Sequence, residues 1–136
     1  FDSKLRQFTV VVPGADLSKP VQMAHGRYWY NLHVAFVVER RHWISDLTIL
    51  ASLRDGCFRI AKAKGHLLSR VSVMPDHLHI ALRGTPTESP ETIALCYQNN
   101  LAYLLGQIRL WQPSYYVGTF GEYDMNAIRR LPSRPV

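Results

Sequence analysis

The sequence predicts an α+β fold: an antiparallel sheet with helices packed on one face, in a ferredoxin-like or RRM-like arrangement. Three observations carry that expectation. Two apolar runs, residues 71–74 and 77–82, are joined by Pro75-Asp76 and read as a hairpin. Residues 28–38 are rich in strong β-formers that alternate in size, as a central or near-central strand requires. Two stretches of helical period, opening at Ser45 or Asp46 and at Ser89, separate these strands from one another and from a last strand-like run around Tyr115 and Tyr116. The order is strand, helix, strand, strand, helix, strand and a final helix.

From the amino terminus, Val10-Val11-Val12 offers an additional strand, and Pro13-Gly14 through Pro20 is a turn-rich connection into the core. The strand over residues 28–38 ends at Glu39-Arg40-Arg41-His42. In the first helix Leu47, Leu50, Ala51, Phe58 and Ala61 recur at helical spacing up to Gly65, a suitable C′ residue. Gly56 inside it costs about 1 kcal/mol relative to Ala, which makes it the place for a kink or break. Residues 66–73 give the strand that pairs with the histidine-bearing one. Lys62, Lys64 and Arg70 gather at this junction, where they serve a nucleic-acid backbone or plain solvation.

Ser89-Pro90-Glu91 is an N-cap with Pro at the first helical position, opening a helix to about Leu105. Ile93, Cys96, Tyr97, Asn100, Leu101 and Leu104 keep its period, so packing is the default role of Tyr97 and Tyr103. Tyr115 and Tyr116, in the last strand, are expected to belong to an aromatic core.

A chain of 136 residues fits one domain spanning residues 1–136, with enough material for a core without staples. Apolar residues at 47% against 19% charged place it among folded globular proteins and outside the disordered class. No apolar run reaches the roughly 18 to 20 residues that span a bilayer and no signal segment is recognisable, so a cytoplasmic protein without membrane contact is expected. Cys57 and Cys96 lack Cys-x-x-Cys spacing, which points to buried thiols and away from disulfides or thiolate zinc. The net charge of +6, from 16 Lys and Arg against 10 Asp and Glu, is compatible with a nucleic-acid partner without requiring one.

The chemistry-bearing residues are His77 and His79. Side chains two apart in a strand share a face, at roughly 6.5 to 7 Å between Cα atoms, and ring nitrogens bind divalent ions at about 2.0 to 2.2 Å. One ion can therefore be gripped between them with most of its shell left open. That suits Mg²⁺ or Mn²⁺ that keeps waters and accepts phosphate oxygens. A His-x-His pair in a strand is, taken alone, more often two ordinary half-exposed histidines.

The words Met74-Pro75-Asp76-His77-Leu78-His79, followed by an apolar run, resemble the HUH (His, hydrophobe, His) signature of the small single-domain tyrosine transposases of bacterial and archaeal insertion sequences. Two further stretches are similar to that family in the same order. Tyr30-Asn31-Leu32-His33 through Glu39-Arg40-Arg41 resembles its first core strand and basic corner, and Trp111-Gln112-Pro113-Ser114-Tyr115-Tyr116 through Thr119-Phe120-Gly121 resembles the segment before its last helix. The likeness covers residues 28–130, leaving 1–27 as an amino-terminal extension to which no function is assigned.

The resemblance implies the HUH version of the same fold, usually as a homodimer, with single-stranded or hairpin DNA as substrate. It implies Mg²⁺ or Mn²⁺ on His77 and His79, and phosphate contacts from Arg40 and Arg41. It also implies a tyrosine that attacks phosphorus and keeps the cut strand as a 5′-phosphotyrosine, which a free 3′-OH can later reverse. The family tyrosine lies in the last helix some ten residues beyond the Gly matched by Gly121, with a metal-binding Gln one turn later. Here those places hold Leu131 and Pro135. Leucine cannot attack phosphorus, and Pro132 and Pro135 stop a helix there.

Tyr123 is the substitute candidate, eight residues before Leu131, or roughly 12 Å along a helix. Two functions follow: a strand-nicking and rejoining transposase, or a DNA-binding module on the same scaffold that has lost cleavage. The family helix matched by Tyr97-Gln98-Asn99-Asn100 is usually more basic, which weakens a DNA-contact role for that helix. A third class, a small metal-dependent phosphoesterase, finds little support, since His25, His33, His42 and His66 form no second pair. His33 matches a strand position of the family and is otherwise a core or pairing histidine.

Overall fold

Five antiparallel strands make the main sheet of the computed structural model, which describes residues 3–120. Strand β1 is Thr9–Val11; β2, Val21–Met23, and β3, Gly26–Tyr28, form a separate ribbon; β4 is Asn31–Val37. Helix α1, Leu47–Lys64, leads into the hairpin of β5, Leu67–Met74, and β6, His77–Arg83. Helix α2, Pro90–Leu104, precedes β7, Tyr116–Phe120. The sheet order is β1-β5-β6-β4-β7, so the four strands of the β4-α1-β5-β6-α2-β7 core take the ferredoxin-like order, with β1 added at the β5 edge.

Alternation is stricter than the sequence suggests. Leu78, Ile80 and Leu82 of β6 point to one face, and His77, His79, Ala81 and Arg83 to the other. Leu32, Val34 and Phe36 of β4 share the inward face, and all six apolar side chains are fully buried. Between Leu68 and Arg70 the β5 register shifts, a bulge that leaves Leu68 and Val71 both inward although three residues apart. The helices cover this face with Leu50, Leu53 and Cys57 from α1 and Ile93, Tyr97 and Leu101 from α2. The expected one-sided layering is therefore present, and among the described residues no helix covers the opposite face.

The helix ends follow their caps. Asp46 accepts the Thr48 amide at 2.9 Å, and Gly65 closes α1 in the left-handed region at φ 75°. Ser89 accepts the Thr92 amide at 3.0 Å ahead of Pro90. Gly56 introduces no kink: α1 runs unbroken, and a Cβ there would lie 2.8 Å from a Leu104 methyl and 2.9 Å from one of Leu101. Its missing side chain lets α2 approach.

Other expectations need correction. The strand predicted over residues 28–38 is divided: Tyr28 ends the β2–β3 ribbon, and β4 begins at Asn31. Trp29 turns away to donate to the Ser18 carbonyl at 2.9 Å, and the Tyr30 hydroxyl donates to the Glu88 carbonyl, so two side-chain anchors bend the chain there. Cys57 is buried as expected, and burial pushes its thiol up to about 12, but Cys96 is only partly buried. Tyr97 is buried, its hydroxyl 2.8 Å from His66 Nδ1, whereas Tyr103 is 87% exposed and packs on nothing in the core. Tyr115 packs against the core, but Tyr116 is 57% exposed on the open sheet face, because β7 register places it outward opposite Ala35. Among the described residues no helix is long and apolar enough to cross a membrane. The expected final helix, with Tyr123, Leu131 and Pro135, falls outside the described residues.

Candidate metal centre on the open sheet face

The pairing registers lay the open face out in rows. Arg70, Ala81, His33 and Gly118 stand across β5, β6, β4 and β7; Ser72, His79, Ala35 and Tyr116 form the next row; Met74, His77 and Val37 the third. Alanine and glycine thus make a low floor from which the imidazoles, Arg70 and Tyr116 rise. The ring of Tyr116 folds over Gly118, where a Cβ would meet the phenolic oxygen at 2.5 Å.

His77 and His79 do share this face. Their rings lie 8° from parallel with centroids 5.7 Å apart, neither walled into the interior nor turned away from each other. Nitrogens bound to one ion at about 2.1 Å lie at most about 4.2 Å apart, the separation a shared cation would require of this pair. Among the described residues no group of three or more His, Cys, Asp and Glu converges on a common point, so these residues by themselves amount to a two-nitrogen site. Such a site leaves most positions of a divalent ion to water or substrate.

The surroundings favour the neutral ligand form of His79. Burial, then the fields of His33, His77 and Arg70, lowers it to about 4. His33 is also lowered, by burial and then by Arg70. The sign for stability follows directly. Between pH 6.5, where a free imidazole takes its proton, and about pH 4, the unfolded chain binds a proton that folded His79 refuses, so stability falls as pH drops through that window. In His79→Gln the decline of Tm between pH 6.5 and 4 is expected to be shallower than in the unmodified chain, measured by thermal melts across that range.

On the other side, Asp76 Oδ1 lies 2.8 Å from His77 Nδ1 and Oδ2 is 2.7 Å from the Arg41 guanidinium. The His77 hydrogen bond, then Arg41, holds the Asp76 carboxyl below its usual range, so it is ionised and only accepts. His77 Nδ1 must therefore carry the proton, which leaves the lone pair of the neutral ring on Nε2. The Arg-Arg corner expected to contact phosphate is built with strain: Arg40 and Arg41 both have positive φ, 56° and 51°. Residues without glycine's freedom pay about 1 to 3 kcal/mol each for such a state. Backbone bonds from Arg41 to Val38, from Val38 to Asp76 and from Glu39 to Leu110 hold the corner against the Pro75-Asp76 turn. Arg41 is thus committed to Asp76, while remaining 62% exposed.

The cluster of Lys62, Lys64 and Arg70 is divided in space. Arg70 belongs to the open face beside the imidazoles, whereas Lys64 acts electrostatically on Glu88 and Cys96. His33 joins the site, its Nε2 3.4 Å from His79 Nδ1 and its ring edge-on to Tyr116 at 5.8 Å. In sequence it matched a strand position of the family or stood as a core or pairing histidine; it is exposed, not core, and the register that brings it beside His79 is not legible without the sheet.

Residues 27–130 match a family model described as transposase IS200 like. The chain is 30% identical over 126 residues to the ISDra2 transposase TnpA of Deinococcus radiodurans, covering 82% of this chain and 89% of the relative. Two solved structures share its fold. One is a candidate transposase from Deinococcus radiodurans R1, with TM-score 0.64 and 24% identity over 81% of this chain and 94% of that one. The other is a REP-associated tyrosine transposase bound to a REP hairpin, with TM-score 0.57 and 12% identity over 80% of this chain and 67% of that one.

Proposed function

Because the chain belongs to the IS200-like transposase family, we propose that its open sheet face binds a divalent cation and single-stranded or hairpin DNA for strand nicking and rejoining. The observation that carries this is the near-parallel pair of His77 and His79 on a face that also bears Arg70 and an exposed Tyr116. The hairpin held by the REP-associated relative supports the choice of DNA.

His77 and His79 would hold Mg²⁺ or Mn²⁺, either of which keeps open positions for water and phosphate oxygens. An ion held there would supply Lewis-acid polarisation of a phosphodiester. Arg40, with Arg41 where its Asp76 tie permits, neutralises neighbouring phosphates. Tyr123 is the nucleophile: its oxygen bonds to phosphorus, the 3′-oxygen leaves as a free hydroxyl, and the strand remains as a 5′-phosphotyrosine. The chain acts in the cytoplasm as a homodimer.

Leu131 and Pro135 favour a second reading, a DNA-binding module without cleavage. Incubation with Mn²⁺ and a hairpin-bearing single strand, followed by a denaturing gel, separates the two. A covalent adduct that disappears in Tyr123→Phe is the expected result; binding without an adduct assigns the chain to the second reading, and absence of binding rejects both. Tyr116 offers a base-stacking surface in either case. Tyr116→Ala is expected to weaken single-strand affinity about 5- to 150-fold, the equivalent of roughly 1 to 3 kcal/mol per stacked base, while Tyr116→Phe leaves it unchanged in a fluorescence-anisotropy titration.

A further inference from the structure

We infer that His33 is a positioning residue for the metal site: its Nε2 accepts the Nδ1 proton of His79 and so turns the His79 Nε2 lone pair toward the cation. The inference rests on the metal reading above and adds a residue that the HUH pair does not include.

A neutral imidazole has one N–H and one lone pair, and the partner of one nitrogen decides what the other can do. On His77 the choice is forced by Asp76, an acceptor at Nδ1 that leaves Nε2 free. The His79 ring is within 8° of parallel to that of His77, so the pair acts together if His79 also carries its proton on Nδ1. The opposite tautomer would spend the His79 lone pair on His33 and present an N–H to the ion. The polar atom at His79 Nδ1 is His33 Nε2, 3.4 Å away, with the two rings at 83° to each other.

His33 is placed there by β4 register. It stands opposite Ala81, one step along the open face from His79, and the small side chains of Ala35 and Ala81 leave the space between the rings clear. The device parallels the Asp76 contact on the neighbouring strand position: a charged acceptor fixes His77, and a neutral acceptor fixes His79. Outer partners of this kind are worth about 10- to 100-fold in metal affinity.

The test uses the full chain and two independent readouts. In the metal-free protein, long-range ¹H–¹⁵N spectra of the imidazoles should show His79 as the Nδ1–H tautomer. An Nε2–H tautomer overturns the inference whether or not a cation binds. In Mn²⁺ titrations followed by electron paramagnetic resonance, His33→Leu should bind 10- to 100-fold more weakly. His33→Gln, whose side-chain carbonyl can accept the same proton, should stay within about threefold of the parent. Unchanged affinity in His33→Leu, or equal loss in both variants, overturns the acceptor role. Failure of the underlying metal reading looks different: His79→Ala would then bind Mn²⁺ as the parent does.

Discussion

Alanine in place of His79 is expected to weaken Mn²⁺ binding by about 100-fold or more, a larger loss than any outer partner produces. It removes one imidazole of the proposed ligand pair, and His77 alone cannot hold an ion against water. The same change should reduce hairpin-DNA affinity in Mn²⁺ to the level measured in a chelator, because phosphate oxygens lose the cation they would share. His33, 3.4 Å from the deleted ring, cannot substitute from its own strand position without moving toward His77. Electron paramagnetic resonance titration and anisotropy with and without chelator check both effects.

The second large effect is on stability. Ile80→Ala should destabilise the chain by about 2 to 5 kcal/mol in urea denaturation. Ile80 is fully buried, paired with Val34 on one side and Val71 on the other at the centre of the sheet. The two flanking strands are themselves fixed by the sheet, so the cavity cannot close by collapse. Since β6 presents Ile80 inward and His79 outward on successive residues, this variant is expected also to loosen the strand under the proposed cation pair. Weaker Mn²⁺ binding by the folded fraction is expected alongside the lower midpoint.

The fold was largely legible in the sequence because its signals are local. The Pro75-Asp76 turn, the Asp46 and Ser89 caps and Gly65 act within a few residues of where they stand. What escaped depends on distant partners. Trp29 and Tyr30 look like β-formers, yet bonds to Ser18 and Glu88 bend the chain at that point. Gly56 looks like a helix breaker until Leu101 and Leu104 arrive from α2. Tyr116 looks like core until β7 register turns it outward.

The site divides in the same way. The shared face of His77 and His79 follows from strand period alone. Asp76 stood inside the recognised motif, but its hold on His77 and Arg41 needs the turn and the strained corner in place. His33 and Arg70 reach the site only through pairing of β4 and β5 with β6.

The proposed role of His77 and His79 is to load a cation together for DNA. Crystals of the protein grown with Mn²⁺ and a hairpin-bearing single strand test it by anomalous scattering. One strong peak at bonding distance from both Nε2 atoms, facing a phosphate, is expected. A peak elsewhere on the chain, or none at this face, would contradict it.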